Sequence, residues 1–121
     1  MNIPSSVKVG VDSVILDCDY DLEGTSKKDL VVKWFLDHYN PYTPVYQWIF
    51  GRSPQIDKEA PIAKYIDLQY RASNDAHTMF RAMRLVRPNI DLSGNYTCKI
   101  STIEEEAVHE GSMVVYCEYS N

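Results

Sequence analysis

Long apolar runs are missing from this sequence, and their absence limits how the chain can meet a membrane. No segment approaches the roughly 18 apolar residues that a membrane-spanning helix needs. The opening residues, MNIPSSVKVG, also lack the apolar centre of a signal peptide. We therefore expect residues 1–121 to be a single domain, taken as a mature or trimmed fragment from a longer secreted or membrane-anchored protein.

Signatures of catalysis and metal binding are scarce as well. The three histidines, His38, His77 and His109, are scattered without the spacing of metal ligands. No serine or cysteine lies in a nucleophile motif. The sequence therefore predicts no enzymatic activity, no metal site and no cofactor. We interpret the acidic run at residues 104–106 as a solvated loop, with weak calcium binding as the alternative.

Positive charge is in the minority, which disfavours one class of partner. The 12 lysines and arginines are outnumbered by 17 acidic residues, and the formal net charge is −5. An acidic domain does not attract phosphate backbones, so we expect no nucleic-acid partner. The nine tyrosines suit a surface that contacts other proteins, because a tyrosine ring is apolar and its tip is polar.

Helical periodicity is absent, and short alternating runs are present instead. Runs of about five to ten residues rich in Val, Ile, Tyr, Phe and Trp are separated by turn residues, which is typical of a β-sandwich or β-barrel. The segment IEEEAVHEG, residues 103–111, is interpreted as a charged hairpin loop. The alternation predicts these core-facing positions: Val14, Leu16, Cys18, Val32, Trp34, Leu36, Ile66, Leu68, Tyr70, Met83, Leu85, Tyr96 and Cys98.

Two cysteines, one tryptophan and one tyrosine in this pattern resemble a variable-type immunoglobulin domain. In that fold a cysteine pair bridges two sheets beside a tryptophan, and a tyrosine two residues before the second cysteine forms a corner. The matching strings, in order, are GVDSVILDC, VVKWF, YQWI, IDLQY, MRLV, DLSGNYTC and SMVVY. The resemblance implies an all-β, two-sheet Greek-key sandwich. It also implies a Cys18–Cys98 disulfide, with Trp34 packed on it and Tyr96 in the corner.

One position departs from the family pattern. Six residues before the second cysteine the family has an aspartate that pairs with an arginine, and here Leu92 occupies that position. We expect Leu92 to point inward as an apolar plug, and we do not assign the arginine–aspartate pair to Arg71 or Arg81. The strings CDYDLEG, VKWF and LSGNYTC also resemble insect neuronal surface proteins of the beaten-path family, which implies a role in adhesion or guidance.

The third cysteine and a glycosylation sequon add two further candidates. Cys117 is either a free thiol or paired with a cysteine outside this chain. The last strand turns either Met113, Val115 and Cys117 or the alternate residues inward, and we favour the first. Asn95-Tyr96-Thr97 is a sequon, and Asn95 is expected to face outward, so it is a candidate glycosylation site.

The aromatic segment HYNPYTPVYQWIFG, residues 38–51, predicts a protein-binding surface. One edge strand cannot bury so many rings, and apolar patches with polar edges mark protein contacts. In the alternative, the loop at residues 39–44 covers Phe35. The candidate contact residues are Lys33, Phe35, Tyr42, Tyr46, Gln47, Trp48, Ile49, Thr97, Lys99 and Tyr116.

The resemblance implies that these residues lie on the GFCC′ sheet, the usual contact face of variable-type domains. We therefore expect an extracellular recognition or adhesion module, secreted or at the cell surface, that binds itself as a homodimer or binds another protein. Two alternatives remain. An immune-type receptor domain would bind through its end loops, residues 19–30 and 100–112, and a spacer domain would bind nothing.

Overall fold

The computed structural model describes residues 2–118, which form two β-sheets and no α-helix. Each strand follows one of the alternating runs and ends near a turn residue. The strands are β1 (Ser6–Lys8), β2 (Ser13–Leu16), β3 (Val31–Leu36), β4 (Tyr46–Ile49), β5 (Gln55–Ile56), β6 (Met83–Val86), β7 (Gly94–Ser101) and β8 (Glu106–Tyr116). Two short 3-10 helices, Pro61–Tyr65 and Ile90–Leu92, complete the structure.

The eight strands divide into a large and a small sheet. The large sheet has the order β1-β8-β7-β3-β4-β5, and the small sheet pairs β2 with β6. β1 runs parallel to β8, and all the other pairs are antiparallel. Strands β3, β4, β7 and β8 correspond to C, C′, F and G of a variable-type sandwich. The all-β, two-sheet prediction is confirmed.

The core lies between the two sheets and includes the disulfide. Cys18, just after β2, is bonded to Cys98 in β7, with 6.2 Å between their Cα atoms. Both cysteines and Trp34 are fully buried. In β3, Trp34 lies directly opposite Cys98 in the antiparallel register. The bridge therefore joins the two sheets at the centre of the apolar core.

Two segments differ from their predicted structure. IDLQY forms no strand, and its only ladder contact is the bridge between Ile66 and Leu85. The chain turns directly after this bridge, where the Tyr70 backbone nitrogen donates to the Asp67 carbonyl at 3.3 Å, and so leaves β6. The charged segment 103–111 is not all loop, because β8 begins at Glu106 and pairs continuously with β7. The backbone ladder outweighs the acidic, helix-favouring composition.

The last strand also corrects the expectation for Cys117. Met113 and Val115 are buried, as the favoured parity predicted. Cys117 is an exposed free thiol. The strand ends at Tyr116, so the alternation no longer places the next residue against the core.

The corner before β7 is closed by Tyr96. Its buried hydroxyl donates to the Leu92 carbonyl oxygen at 2.5 Å, and Leu92 itself is buried. Gly94 leaves room for the His38 side chain, since a Cβ at position 94 would lie 2.6 Å from His38 Nδ1. Asp91 accepts from the Tyr65 hydroxyl at 2.9 Å instead of pairing with an arginine.

The two arginines considered for the family ion pair have other partners. Arg81 donates to Asp17 at 2.8 Å and lies 3.2 Å from Asp19. Burial lowers the pKa of Arg81, but the hydrogen bond and the charge of Asp17 outweigh burial and raise it. Arg71 lies over the Phe80 ring, 6.0 Å from its centroid.

Three aromatic side chains hold the segment 77–81, where no strand forms. Tyr20 donates to the His77 carbonyl at 2.5 Å, and Tyr46 donates to the Phe80 carbonyl at 2.8 Å. The Trp34 indole nitrogen donates to the Arg81 carbonyl at 3.0 Å. These donors satisfy backbone acceptors that a missing strand ladder leaves free, so each ring needs its polar atom as well as its apolar surface.

Replacing Tyr46 with phenylalanine is therefore expected to destabilise the domain. The Y46F change keeps the buried ring but leaves the Phe80 carbonyl without its donor, at a cost of about 1–3 kcal/mol. Urea denaturation measures the loss. Y42F is the matched control, because Tyr42 is 90% exposed and its loss should stay within about 0.5 kcal/mol. Equal stability of the two variants would contradict this role for the Tyr46 hydroxyl.

Candidate protein-binding face

The side of the large sheet that points away from β2 and β6 is the broadest strand surface of the domain. We call the outward side of β3, β4, β7 and β8 the sheet face. The strand registers place these residues on it: Val31, Lys33, Phe35, Gln47, Ile49, Asn95, Thr97, Lys99, Ser101, Glu106, Val108, Glu110, Ser112 and Val114.

One row crosses the middle of the sheet face. Gln47 lies opposite Lys33, Lys33 opposite Lys99, and Lys99 opposite Val108. Lys99 has an acidic neighbour, with 3.7 Å between its Nζ and the Glu106 Oε1. Lys33 forms no ion pair with any residue between positions 2 and 118. The row therefore combines two adjacent positive charges with an apolar edge.

Apolar side chains form the β8 end of this row and lie beside its β3 and β4 members. Val108 is 52% exposed on β8. Val31 and Ile49 lie opposite each other and are each partly exposed. Solvent-facing strand positions are usually polar, so exposed aliphatic groups beside charged ones are typical of protein contact surfaces.

Three predicted contact residues are too buried to serve in the folded domain. Tyr46 and Trp48 are each 2% exposed and belong to the core. Both lie on the inward parity of β4, where Trp48 packs edge-on against Phe80 at 5.6 Å between ring centroids. Phe35 is on the outward side but only 8% exposed. The prediction of an aromatic centre built on Phe35 is therefore wrong.

Other predicted contacts remain accessible, although not all lie together. Lys33, Gln47, Ile49, Thr97 and Lys99 share the sheet face and are partly exposed. The Thr97 hydroxyl donates to the Asp37 carboxylate at 3.0 Å, so that side chain is held in place.

The two remaining predicted tyrosines lie away from the central row. Tyr42 is in the connection between β3 and β4, and its backbone nitrogen donates to the Asn40 side chain. Tyr116 is 43% exposed at the end of β8, opposite Lys8. Of the predicted contact residues, the five on β3, β4 and β7 therefore lie together as a compact group.

Sequence reasoning missed the β8 edge of the sheet face. Glu106, Val108 and Glu110 face outward there, opposite Ser101, Lys99 and Thr97. They were missed because the segment was interpreted as a loop. No apolar–polar alternation marks residues 106–110, since Ala107 and Val108 are adjacent and all five residues are exposed, so the sequence carries no clear strand signal here.

Asn95 lies on the sheet face, at the start of β7. It is exposed, and its side-chain oxygen accepts a hydrogen bond from the Ser112 hydroxyl on β8. Its side-chain nitrogen, the atom that carries a glycan, has no acceptor among the hydrogen bonds of the described residues. Lys99 is four positions after Asn95 along β7, about 13 Å at the usual strand rise.

The end loops of the alternative hypothesis are joined to each other. The Ile103 backbone nitrogen donates to the Lys28 carbonyl at 2.8 Å, and the Ser26 nitrogen donates to the Glu104 carboxylate at 2.9 Å. Ile103 is 58% exposed at the tip. Beside the first loop lies a cavity of about 250 Å³, lined by Tyr20, Asp21, Leu22, Glu23, Lys27, Asp75, His77 and Thr78.

Two kinds of feature, a metal-ion cluster and a membrane-crossing helix, do not occur within residues 2–118. Within that range, no three His, Cys, Asp or Glu side chains are grouped closely enough to hold a metal ion. No helix in that range has the length and apolar character to cross a membrane.

Comparison with solved structures shows the fold. The amphioxus IgVJ-C2 molecule superposes with a TM-score of 0.61 at 20% identity, over 91% of this chain and 54% of that one. The human B7-H4 IgV-like domain gives 0.59 at 16% identity, over 95% and 92%. Dpr1 IG1, solved bound to DIP-eta IG1, gives 0.61 at 20% identity, over 94% and 89%. No family profile and no curated protein matches the sequence.

Proposed function

We propose that this chain, which has the fold of a variable-type immunoglobulin domain, is a non-catalytic extracellular module that binds another protein through its sheet face. The observation that carries the proposal is the row Gln47–Lys33–Lys99–Val108 with its exposed aliphatic neighbours. The disulfide supports an oxidising compartment. Dpr1 IG1, a domain of similar fold, is known in complex with another immunoglobulin domain.

The first test places a charge on the sheet face and compares it with the same change elsewhere. Living cells are stained with a tetramerised domain carrying either I49D on β4 or I15D on the outer side of β2. Ile49 is partly exposed and Ile15 is 36% exposed, so both lie on strands outside the core, and urea denaturation first establishes that each variant remains folded. We expect I49D to lose staining by tenfold or more, about 1.4 kcal/mol of binding free energy, and I15D to retain it.

The end-loop alternative is favoured by one observation, the pair of hydrogen bonds that joins the two loops into one surface. In the same assay, loss of staining with I103D but not with I49D would support it and overturn the sheet-face proposal. If the unaltered domain stains no cells, the spacer alternative is favoured. Staining that persists after all three changes would place the contact on another surface and overturn the sheet-face proposal. The beaten-path resemblance remains a prediction.

We also propose that Asn95 carries an N-linked glycan when the protein is secreted from animal cells. Intact-mass measurement should show one glycan mass that glycosidase treatment removes. N95Q should lack it, and T97S should keep it, since serine preserves the sequon. Secreted, disulfide-bonded protein without added mass would contradict the proposal.

A further inference from the structure

We infer that the sheet face binds a partner whose surface presents carboxylate groups between apolar side chains, and that it does not bind a second copy of this chain. This inference rests on the sheet-face function proposed above. It starts from the cross-strand pair of Lys33 and Lys99. Directly opposite residues have Cβ atoms about 4.5–5.5 Å apart, and like charges at such positions destabilise a sheet.

The domain offers only partial neutralisation of this pair. Glu106 lies within 3.7 Å of Lys99, on the side away from Lys33. The other cross-strand neighbour of Lys33 is Gln47, which is uncharged. The pair is unusual in a chain that has 12 basic and 17 acidic residues. An unfavourable charge pair kept in the centre of an accessible face is explained if a partner supplies the missing negative charge.

Apolar groups define the rest of the partner's surface. Val108 follows Lys99 at the β8 end of the row. Val31 and Ile49 form the outward pair beside Lys33 and Gln47, towards the β4 end. A partner that places carboxylates over the lysines would therefore bring aliphatic side chains over these three residues. Apolar contact would supply affinity, and the charges would select the partner and speed its encounter.

A second copy of the domain does not fit the same arrangement. In a symmetric dimer each copy uses the same patch. A two-fold axis through the middle of the row would bring the lysines of one copy onto those of the other, four positive charges together. Glu110 lies opposite Thr97, one row away from the lysine pair. The charge pattern thus disfavours a symmetric contact centred on this row and favours a different protein as the partner.

The experiment titrates the whole domain, in a Cys117→Ser background, with a synthetic peptide that alternates aspartate and valine. Backbone amide NMR shifts report the site. We expect changes centred on Lys33, Gln47 and Lys99 at micromolar to millimolar peptide. A peptide with asparagine in place of aspartate should bind at least about tenfold more weakly.

Charge reversal tests the assignment. The double variant K33E/K99E should lose the response by tenfold or more, and K58E/K64E, which changes the same charge at two exposed lysines outside the sheet face, should keep it. Sedimentation equilibrium should find the Cys117→Ser domain monomeric. No shift at millimolar peptide, shifts centred elsewhere, or a dimer that K33E disrupts would each overturn the inference.

Two outcomes distinguish a failure of this inference from a failure of the proposed sheet-face function. If I49D abolishes cell staining while the acidic peptide does not bind and K33E/K99E stains normally, the sheet face is a contact surface but not for an acidic partner. If neither change affects staining, the sheet-face function fails as well.

Discussion

Replacing both Cys18 and Cys98 with alanine is expected to lower the free energy of unfolding by about 4–5 kcal/mol. The cysteines are 80 residues apart in sequence, so the bridge removes a large amount of conformational freedom from the unfolded chain. Domains of this size have a total stability of only about 5–15 kcal/mol. The loss would therefore remove about a third of the stability at the upper end of this range and nearly all of it at the lower end.

Urea denaturation in a Cys117→Ser background measures this effect. The exposed position of Cys117 makes C117S itself the control, with an expected change within about 0.5 kcal/mol. A decrease of less than about 1 kcal/mol in the double variant would show that the apolar core holds the two sheets together without the bridge.

Alkaline pH is expected to destabilise the domain through its buried tyrosines. Burial raises the pKa of Tyr46, Tyr96 and Tyr20, in each case as the largest cause. Their folded-state pKa values lie above the unfolded value near 10, so their contribution to stability is complete below about pH 10 and is lost as the pH rises. The unfolded chain then releases protons that the folded chain retains.

The size of this loss of stability follows from the number of protons that the unfolded chain releases and the folded chain retains. Between about pH 10 and about pH 11, each fully buried tyrosine should cost roughly 1 kcal/mol of stability, or about 2 kcal/mol for Tyr46 and Tyr96 together. Tyr20 should add less, because it is only half-buried. Urea denaturation at several pH values, again with C117S, measures the slope. Absorbance of the tyrosinate ion locates the ionisation.

The control is the change of unfolding free energy with pH in Y46F and in Y96F, each compared with the parent protein. Each variant should be less stable at neutral pH yet lose less stability between pH 10 and 11, by about 1 kcal/mol. An unchanged slope in both variants would mean that other groups, such as lysines, cause the alkaline loss.

Phe35 shows that the alternation pattern does not predict which outward side chains are exposed to solvent. Its parity on β3 was correct, since Lys33 and Phe35 share the outward side. Alternation along a strand predicts the direction in which a side chain points, but not how much of that side chain solvent can reach. Phe35 is 8% exposed on that side, a value that depends on surrounding groups distant in sequence. Phe35→Asp would therefore test folding and not binding, whereas Ile49 is accessible enough for a binding test.

The segments 66–70 and 106–111 show how strands are decided. IDLQY has good alternation, but the chain turns at Asp67 and leaves β6 after one bridge. Residues 106–111 have an acidic composition but continue the ladder with β7. A strand needs a neighbour for its backbone hydrogen bonds, and the neighbour is a property of the whole fold.

The sequence by itself determined the sandwich, because alternation, turn residues and the positions of Cys18, Trp34, Tyr96 and Cys98 are local patterns that agree with one another. Only the tertiary structure decided which outward residues are accessible and which charges meet. The pair of Lys33 and Lys99 joins residues 66 positions apart through strand register, and the burial of Phe35 depends equally on its surroundings. Register and burial arise from packing between distant segments, and no short stretch of sequence contains them.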